Sequence, residues 1–190
     1  MNQPQRRRSH KPKAQKGNYA FIDSQNLNLG VQKIGWKMDW HKFRIWLEEK
    51  YSVTHAYMFI GYMADNESLY EQMHDHGFLV VLKPTTEIKT EEGNEEKTVV
   101  KGNIDADLVL YAMKELPNYD KAVIVSGDGD FFALAEYLEQ QGKLGKILTP
   151  NQRYSALLKQ FETHIEGLDA HRRELAYRDR RFTRKPKKSA

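Results

Sequence analysis

The stretch Lys121-Ala122-Val123-Ile124-Val125-Ser126-Gly127-Asp128-Gly129-Asp130-Phe131 decides the fold. Lys121–Ser126 is an apolar run of strand length, and Phe131–Gln141 reads as a helix that Gly142 stops. The strand delivers a hydroxyl and two carboxylates, Ser126, Asp128 and Asp130, to its carboxyl end. Gly127 and Gly129 allow close backbone approach and unusual φ there.

The same strand-then-helix rhythm extends outward in both directions. Tyr19–Asp23, His55–Tyr62, Phe78–Leu82 (buried and ended by Pro84) and Lys146–Thr149 (closed by Pro150) read as strands. Trp40, Phe43, Trp46 and Leu47 fall on one helical face behind Asp39 as N-cap, and the Trp36, Trp40 and Trp46 group reads as core. Asn66 caps a helix carrying Leu69, Tyr70 and Met73, which Gly77 stops. Asp105–Leu116 is a helix with Leu108, Ala112 and Leu116 on one face. Asn151 opens a last helix with Tyr154, Leu157, Leu158 and Phe161. Strands alternating with helices imply α/β class: a three-layer α/β/α sandwich around a mainly parallel sheet. Glu87–Lys101 breaks the rhythm with two strand-like pieces, Thr85–Thr90 and Lys97–Lys101, which predict a protruding hairpin.

In open parallel sheets, ligands bind beyond the carboxyl ends of the strands, where strand order reverses. Asp23 and Asp128 both lie at such ends and meet if the first and fourth strands are neighbours. Asp105 opens the helix that feeds the fourth strand and faces the same crevice. Converging carboxylates repel one another unless a cation sits between them. The cation for an all-oxygen site is Mg²⁺ or Mn²⁺, so the pattern points to metal-dependent phosphodiester chemistry. Asp107 is two residues from Asp105 on a helix and points elsewhere, to support the site or complement the helix dipole. Asn26, on the turn after Asp23, would orient a phosphate or a water. Lys101 would reach a phosphate or pair with the nearby acids. Taken alone, Asp23 and Asp130 read as helix caps.

Composition narrows the alternatives. A chain of 190 residues fits one domain with tails: 1–16 as a basic disordered leader, 17–168 as the folded domain, 169–190 as a basic C-terminal tail. Tails of net +6 (1–16) and +7 (171–190) in a chain of net +4 leave −9 for residues 17–170. Such arms attract phosphate backbones or simply solvate the protein. The absence of Cys excludes disulfides and Cys-ligated zinc. No apolar run reaches the ~20 residues of a membrane span, and no apolar stretch follows the basic start as in a secretory signal. A cytoplasmic location and no membrane partner are therefore expected. His55, His74 and His76 have no zinc spacing, and the chain lacks G-x-x-x-x-G-K-[ST].

Three motifs in order, Phe-Ile-Asp-x-x-Asn at 21–26, Lys-Gly-x-x-Asp at 101–105 and Ser-Gly-Asp-Gly-Asp-Phe at 126–131, resemble the NYN domain of LabA-like proteins, in the PIN-like nuclease superfamily. The resemblance covers residues 19–150. It implies sheet order 3-2-1-4-5, an acidic site for Mg²⁺ or Mn²⁺, and RNA as the substrate cleaved. By position, Asp23, Asp105 and Asp128 match the main acidic ligands, and Asn26 and Asp130 match supporting positions. One position departs. Many relatives carry a further Asp six residues beyond the first helix acid, where this chain has Tyr111; either Asp107 substitutes or the site is weaker. The function expected is a metal-dependent ribonuclease using Asp23, Asp105, Asp128 and Asp130, supported by Asn26, Ser126, Asp107 and Lys101. The alternative is a non-catalytic RNA-binding or regulatory adaptor with a degenerate site. A homo-oligomer is left open.

Overall fold

Ala20 and Ile22 point to one side of strand β1 (Asn18–Asp23), Tyr19 and Phe21 to the other, and each pair is buried in a different core. A strand apolar on both faces needs a helical layer on each, the pattern of a covered parallel sheet. In this computed structural model the described residues are 16–62, 66–83, 86–92, 95–101 and 104–178, with the side chains of 86–101 left out.

The elements follow in order. Helix α1 (Ser24–Gln32) leaves β1 directly, then come α2 (Trp40–Tyr51), β2 (Val53–Gly61), α3 (Glu67–Asp75) and β3 (Leu79–Lys83). The hairpin β4 (Thr86–Glu92) and β5 (Glu95–Lys101) precedes α4 (Ile104–Lys114). Next are β6 (Ala122–Val125), α5 (Phe132–Gln140), β7 (Leu144–Thr149), β8 (Ile165–Gly167) and α6 (Arg172–Leu175). The main sheet is all parallel, in the order β3-β2-β1-β6-β7-β8. Counting only its strands, that is the expected 3-2-1-4-5 with a sixth added at the edge.

One core joins Leu27, Phe43, Leu47, Met73 and Leu175 to Ala20, Ile22 and Val125, so α1, α2, α3 and α6 cover one face. The other joins Leu108, Ala112, Ala135 and Leu138 to Phe21, Phe59 and Ile124, so α4 and α5 cover the other. Each fully buried Phe or Leu contributes about 1.5–3 kcal/mol, which fixes strand register as well as stability. Register sets Ile22 beside Val125 and Asp23 beside Phe59, so Asp23 emerges where β1 separates β2 from β6. That is the topological switch point.

Several expectations are corrected. Residues 151–164 do not form an α-helix. The Asn151 side-chain Oδ1 accepts from Arg153 N at 2.8 Å and its Nδ2 donates to the Gly30 carbonyl at 2.9 Å, which builds a loop. A 3₁₀ stretch, Ala156–His164, follows behind the Ser155 cap, with a break at Phe161. Of the residues read as tail, 169–177 pack on the body, with Tyr177 N donating to the Lys37 carbonyl at 2.9 Å. Leu175 is fully buried, Met38 bridges to Ala176, and the Trp46 indole donates to Glu174 at 3.1 Å. Strand β3 is an edge strand with Leu79 and Leu82 exposed rather than buried. Asn66 occupies the cap position of α3 without a capping hydrogen bond. Gly127 and Gly129 lack positive φ; close approach explains them, since a Cβ on Gly129 would lie 2.4 Å from Ser155 Oγ. The hairpin at 86–101 is present as an antiparallel pair. The segment 1–15, Pro84 and residues 179–190 lie outside the described residues. Among the described residues no helix is long and apolar enough to cross a membrane.

Candidate active site

Asp23 ends β1 and caps α1: its Oδ1 accepts from Asn26 N at 3.0 Å. Its Oδ2 accepts from the Ser126 hydroxyl at 3.1 Å, across the gap between β1 and β6. Ser126, buried at the end of β6, accepts in turn from Asp128 N at 3.1 Å. Asp128 caps the short 3₁₀ turn Gly129–Phe131, its Oδ1 accepting from Asp130 N at 3.1 Å. A second brace runs alongside, with Gly127 N donating to Asn26 Oδ1 at 2.9 Å. The backbone N–H can only donate, so the Asn26 oxygen faces it and the amino end makes no hydrogen bond among the described residues. The cap positions and the catalytic positions expected from sequence are therefore the same residues.

A cleft of about 230 Å³ opens over this brace. Asp23, Asp105 and Asp128 line it with Gln25 and Asn26, and Leu29 and Ile104 form its apolar wall. Asp105 comes from the first turn of α4, half-exposed and accepting no hydrogen bond among the described residues. Burial pushes the Asp23 carboxyl above its usual range, against the pull of its bonds from Asn26 N and Ser126 and with the help of the charge on Asp128. Asp105 is also pushed up, first by burial and then by the charges of Asp23, Asp128 and Asp130; Lys83 offsets part of this. Negative charge is thus concentrated in the cleft without a matching cation in its lining.

Two expected residues, Asp107 and Asp130, do not line this cleft. Asp107 pairs instead with Lys83 at 3.0 Å. Tyr111 packs against Tyr57 and Phe59 of β2, with ring centroids 5.7 and 5.5 Å apart. Asp130 is exposed and flanks an adjoining groove with Asp105 and Leu110. The Lys101 side chain lies outside the described residues. Two neighbours were not anticipated. Gln25 sits inside a motif already singled out, and Lys83 ends a parallel strand, the position that flagged Asp23 and Asp128.

The donors suit a hard cation. All are oxygens, most are anionic, and Asp105 carries a charge that no described hydrogen bond offsets. Among the described residues no three acid or imidazole side chains close around one point. An open set of this kind fits Mg²⁺ or Mn²⁺, which keep water ligands and take one or two carboxylates, better than a closed structural site.

Residues 19–168 match the NYN domain family. The chain is 27% identical over 122 residues to the low amplitude and bright protein LabA of Synechococcus elongatus, a match that spans 62% of this chain and 65% of LabA. The crystal structure of a protein of unknown function from Vibrio parahaemolyticus superposes with a TM-score of 0.68 over 88% of this chain and 100% of its own. At 21% identity that likeness shows the fold alone.

Proposed function

The chain belongs to the NYN domain family, which is nuclease-like and binds RNA in general, and on that premise we propose that it is a metal-dependent ribonuclease. The observation that carries the reading is the convergence of Asp23, Asp105 and Asp128 on one cleft at the switch point of the sheet. These three carboxylates would hold Mg²⁺ or Mn²⁺, which supplies Lewis-acid stabilisation of the charge developing on a phosphodiester. The protein's own part is positioning. Ser126 ties the Asp23 carboxylate to the Asp128 backbone, and Asn26 ties the first turn of α1 to Gly127. The free amino end of Asn26 would donate to a phosphate oxygen or a water. Asp105, the half-exposed acid, would meet the incoming strand. Asp130 would act from the flank by raising the negative field at Asp105.

A second reading is an RNA-binding adaptor that does not cut. Tyr111 favours it, because an acid six residues beyond Asp105, about 9 Å along α4, is absent. One assay separates the two: mixed-sequence single-stranded RNA incubated with the protein in EDTA, Mg²⁺ and Mn²⁺. Cleavage in either metal and none in EDTA supports the nuclease; retention of intact RNA in all three conditions supports the adaptor.

A further inference from the structure

A second cleft, of about 300 Å³, adjoins the acidic one and shares Asn26 and Leu29 with it. It lies between the end of α1 and the loop after β7. Its wall is tightly built: a Cβ on Gly30 would lie 2.4 Å from the Pro150 Cβ, and buried Asn151 ties the two segments through the Gly30 carbonyl. The same Asn151 holds the backbone of Arg153.

The charge of this cleft is opposite to its neighbour's. Its two ionised side chains are Lys33 and Arg153, both exposed, and neither forms an ion pair among the described residues. Lys83, the cation beside the acidic cleft, is committed to Asp107. Within a body of net −9, these two cations, without an ion pair among the described residues, stand at the edge of a carboxylate cluster as a local patch of positive potential. Arg suits a phosphate through paired N–H donors, and Lys adds a point charge. Leu29, Ile34 and Pro150 add apolar surface for a sugar or base.

A strand whose scissile phosphate enters the acidic cleft must bring its next phosphate close to the same repulsive field. We propose that the second cleft binds that adjacent phosphate of a single RNA strand, with Lys33 and Arg153 as its ligands. Which phosphate is scissile rests on the nuclease reading; the anion site itself does not.

The test is therefore a binding measurement in EDTA. Fluorescence anisotropy with a labelled 12-nucleotide single-stranded RNA is followed from 0.1 to 1 M salt. The wild type is compared with Lys33→Ala/Arg153→Ala and with Lys114→Ala/Lys121→Ala, which removes equal charge at the far end of α4 and the amino end of β6. Each lost phosphate contact lowers the log–log salt slope by roughly 0.7, and the two cations share one phosphate, so the first variant should lose about 0.7. Its Kd relative to wild type then grows roughly 5-fold between 1 M and 0.1 M salt, while the control pair changes little. Equal slopes for the wild type and the Lys33/Arg153 variant overturn the subsite, even if the wild type cuts RNA. The expected slope loss in a protein that never cuts upholds the subsite and removes the nuclease reading.

Discussion

Replacing Ser126 by Ala should be far more costly than the loss of one oxygen suggests. The hydroxyl is buried, donates to Asp23 Oδ2 at 3.1 Å and accepts from Asp128 N at 3.1 Å. A hydrogen bond to a buried carboxylate contributes about 1.5–3 kcal/mol, and an orphaned backbone N–H costs about 1 kcal/mol more. Ser126→Ala should therefore lose about 3 kcal/mol. For a chain of this size that lowers the melting temperature by roughly 6–12 °C. The effect should depend on pH. The Ser126 bond pulls down a carboxyl that burial pushes up, so its removal raises the Asp23 pKa further. A carboxyl raised in the folded state destabilises the protein when ionised, and that penalty disappears as pH falls through the folded pKa. The gap between variant and wild type should be widest at neutral pH and shrink on acidification. Thermal melts by circular dichroism, in EDTA, from pH 7 to pH 4.5 measure it. Melting within 1 °C of wild type at pH 7, or a gap that stays constant with pH, would refute the proposed brace.

Asp105→Asn should raise the melting temperature of the metal-free protein by about 1–4 °C, since it relieves about 0.5–1 kcal/mol of like-charge crowding. Its gain should fade as pH drops through the raised pKa of Asp105, a trend that differential scanning fluorimetry in EDTA follows. Glu166 sits at the opposite extreme. Despite partial burial, bonds from Lys50, Tyr51 and His171 hold its carboxyl down at about 2. Its stabilisation is present above the unfolded carboxyl range and is lost as pH falls from about 4.5 towards 2; after screening it amounts to about 1–2 kcal/mol. Glu166→Gln should thus melt lower than wild type at pH 7 and match it near pH 2. Leu175→Ala should cost about 2–4 kcal/mol in urea unfolding because that side chain is fully buried.

The centre of the fold was legible because it is dictated by burial. Tyr19–Ile22 and Ala122–Val125 are apolar on both faces, and only a central parallel strand tolerates that. The grouping of three carboxylates around one cleft was legible because topology carries Asp23 and Asp128 to one edge and the first turn of α4 carries Asp105. The periphery was not. Strand β8 is three residues long and half-buried, too short for any period to register. The C-terminal segment was hidden by composition: Arg172, Arg173 and Glu174 are exposed, and Leu175 is the side chain it buries fully. Charge describes a surface and says nothing about where the backbone beneath it runs. Asn151 looked like a helix cap because its type caps helices, but its partners are Gly30 and Arg153, and only the first of these is distant in sequence. Lys83 escaped notice because the same rule that found the acids was applied only to carboxylates.

On the proposed reading, the carboxylates around the junction of β1 and β6 cut RNA with a divalent cation. The most direct test is the single-turnover cleavage rate of a labelled single-stranded RNA by wild type and Asp128→Asn, in Mn²⁺, in Mg²⁺ and in EDTA. Asn caps a turn about as well as Asp, and the charge removed is one that crowds Asp23 and Asp105, so the metal-free variant should keep its fold and melt no lower than wild type. Wild type should cut in either metal and stop in EDTA, and Asp128→Asn should be slower by at least about 100-fold, the equivalent of about 2.7 kcal/mol in the barrier. A folded Asp128→Asn protein that cuts at the wild-type rate, or wild-type cleavage that persists in EDTA, would contradict the account.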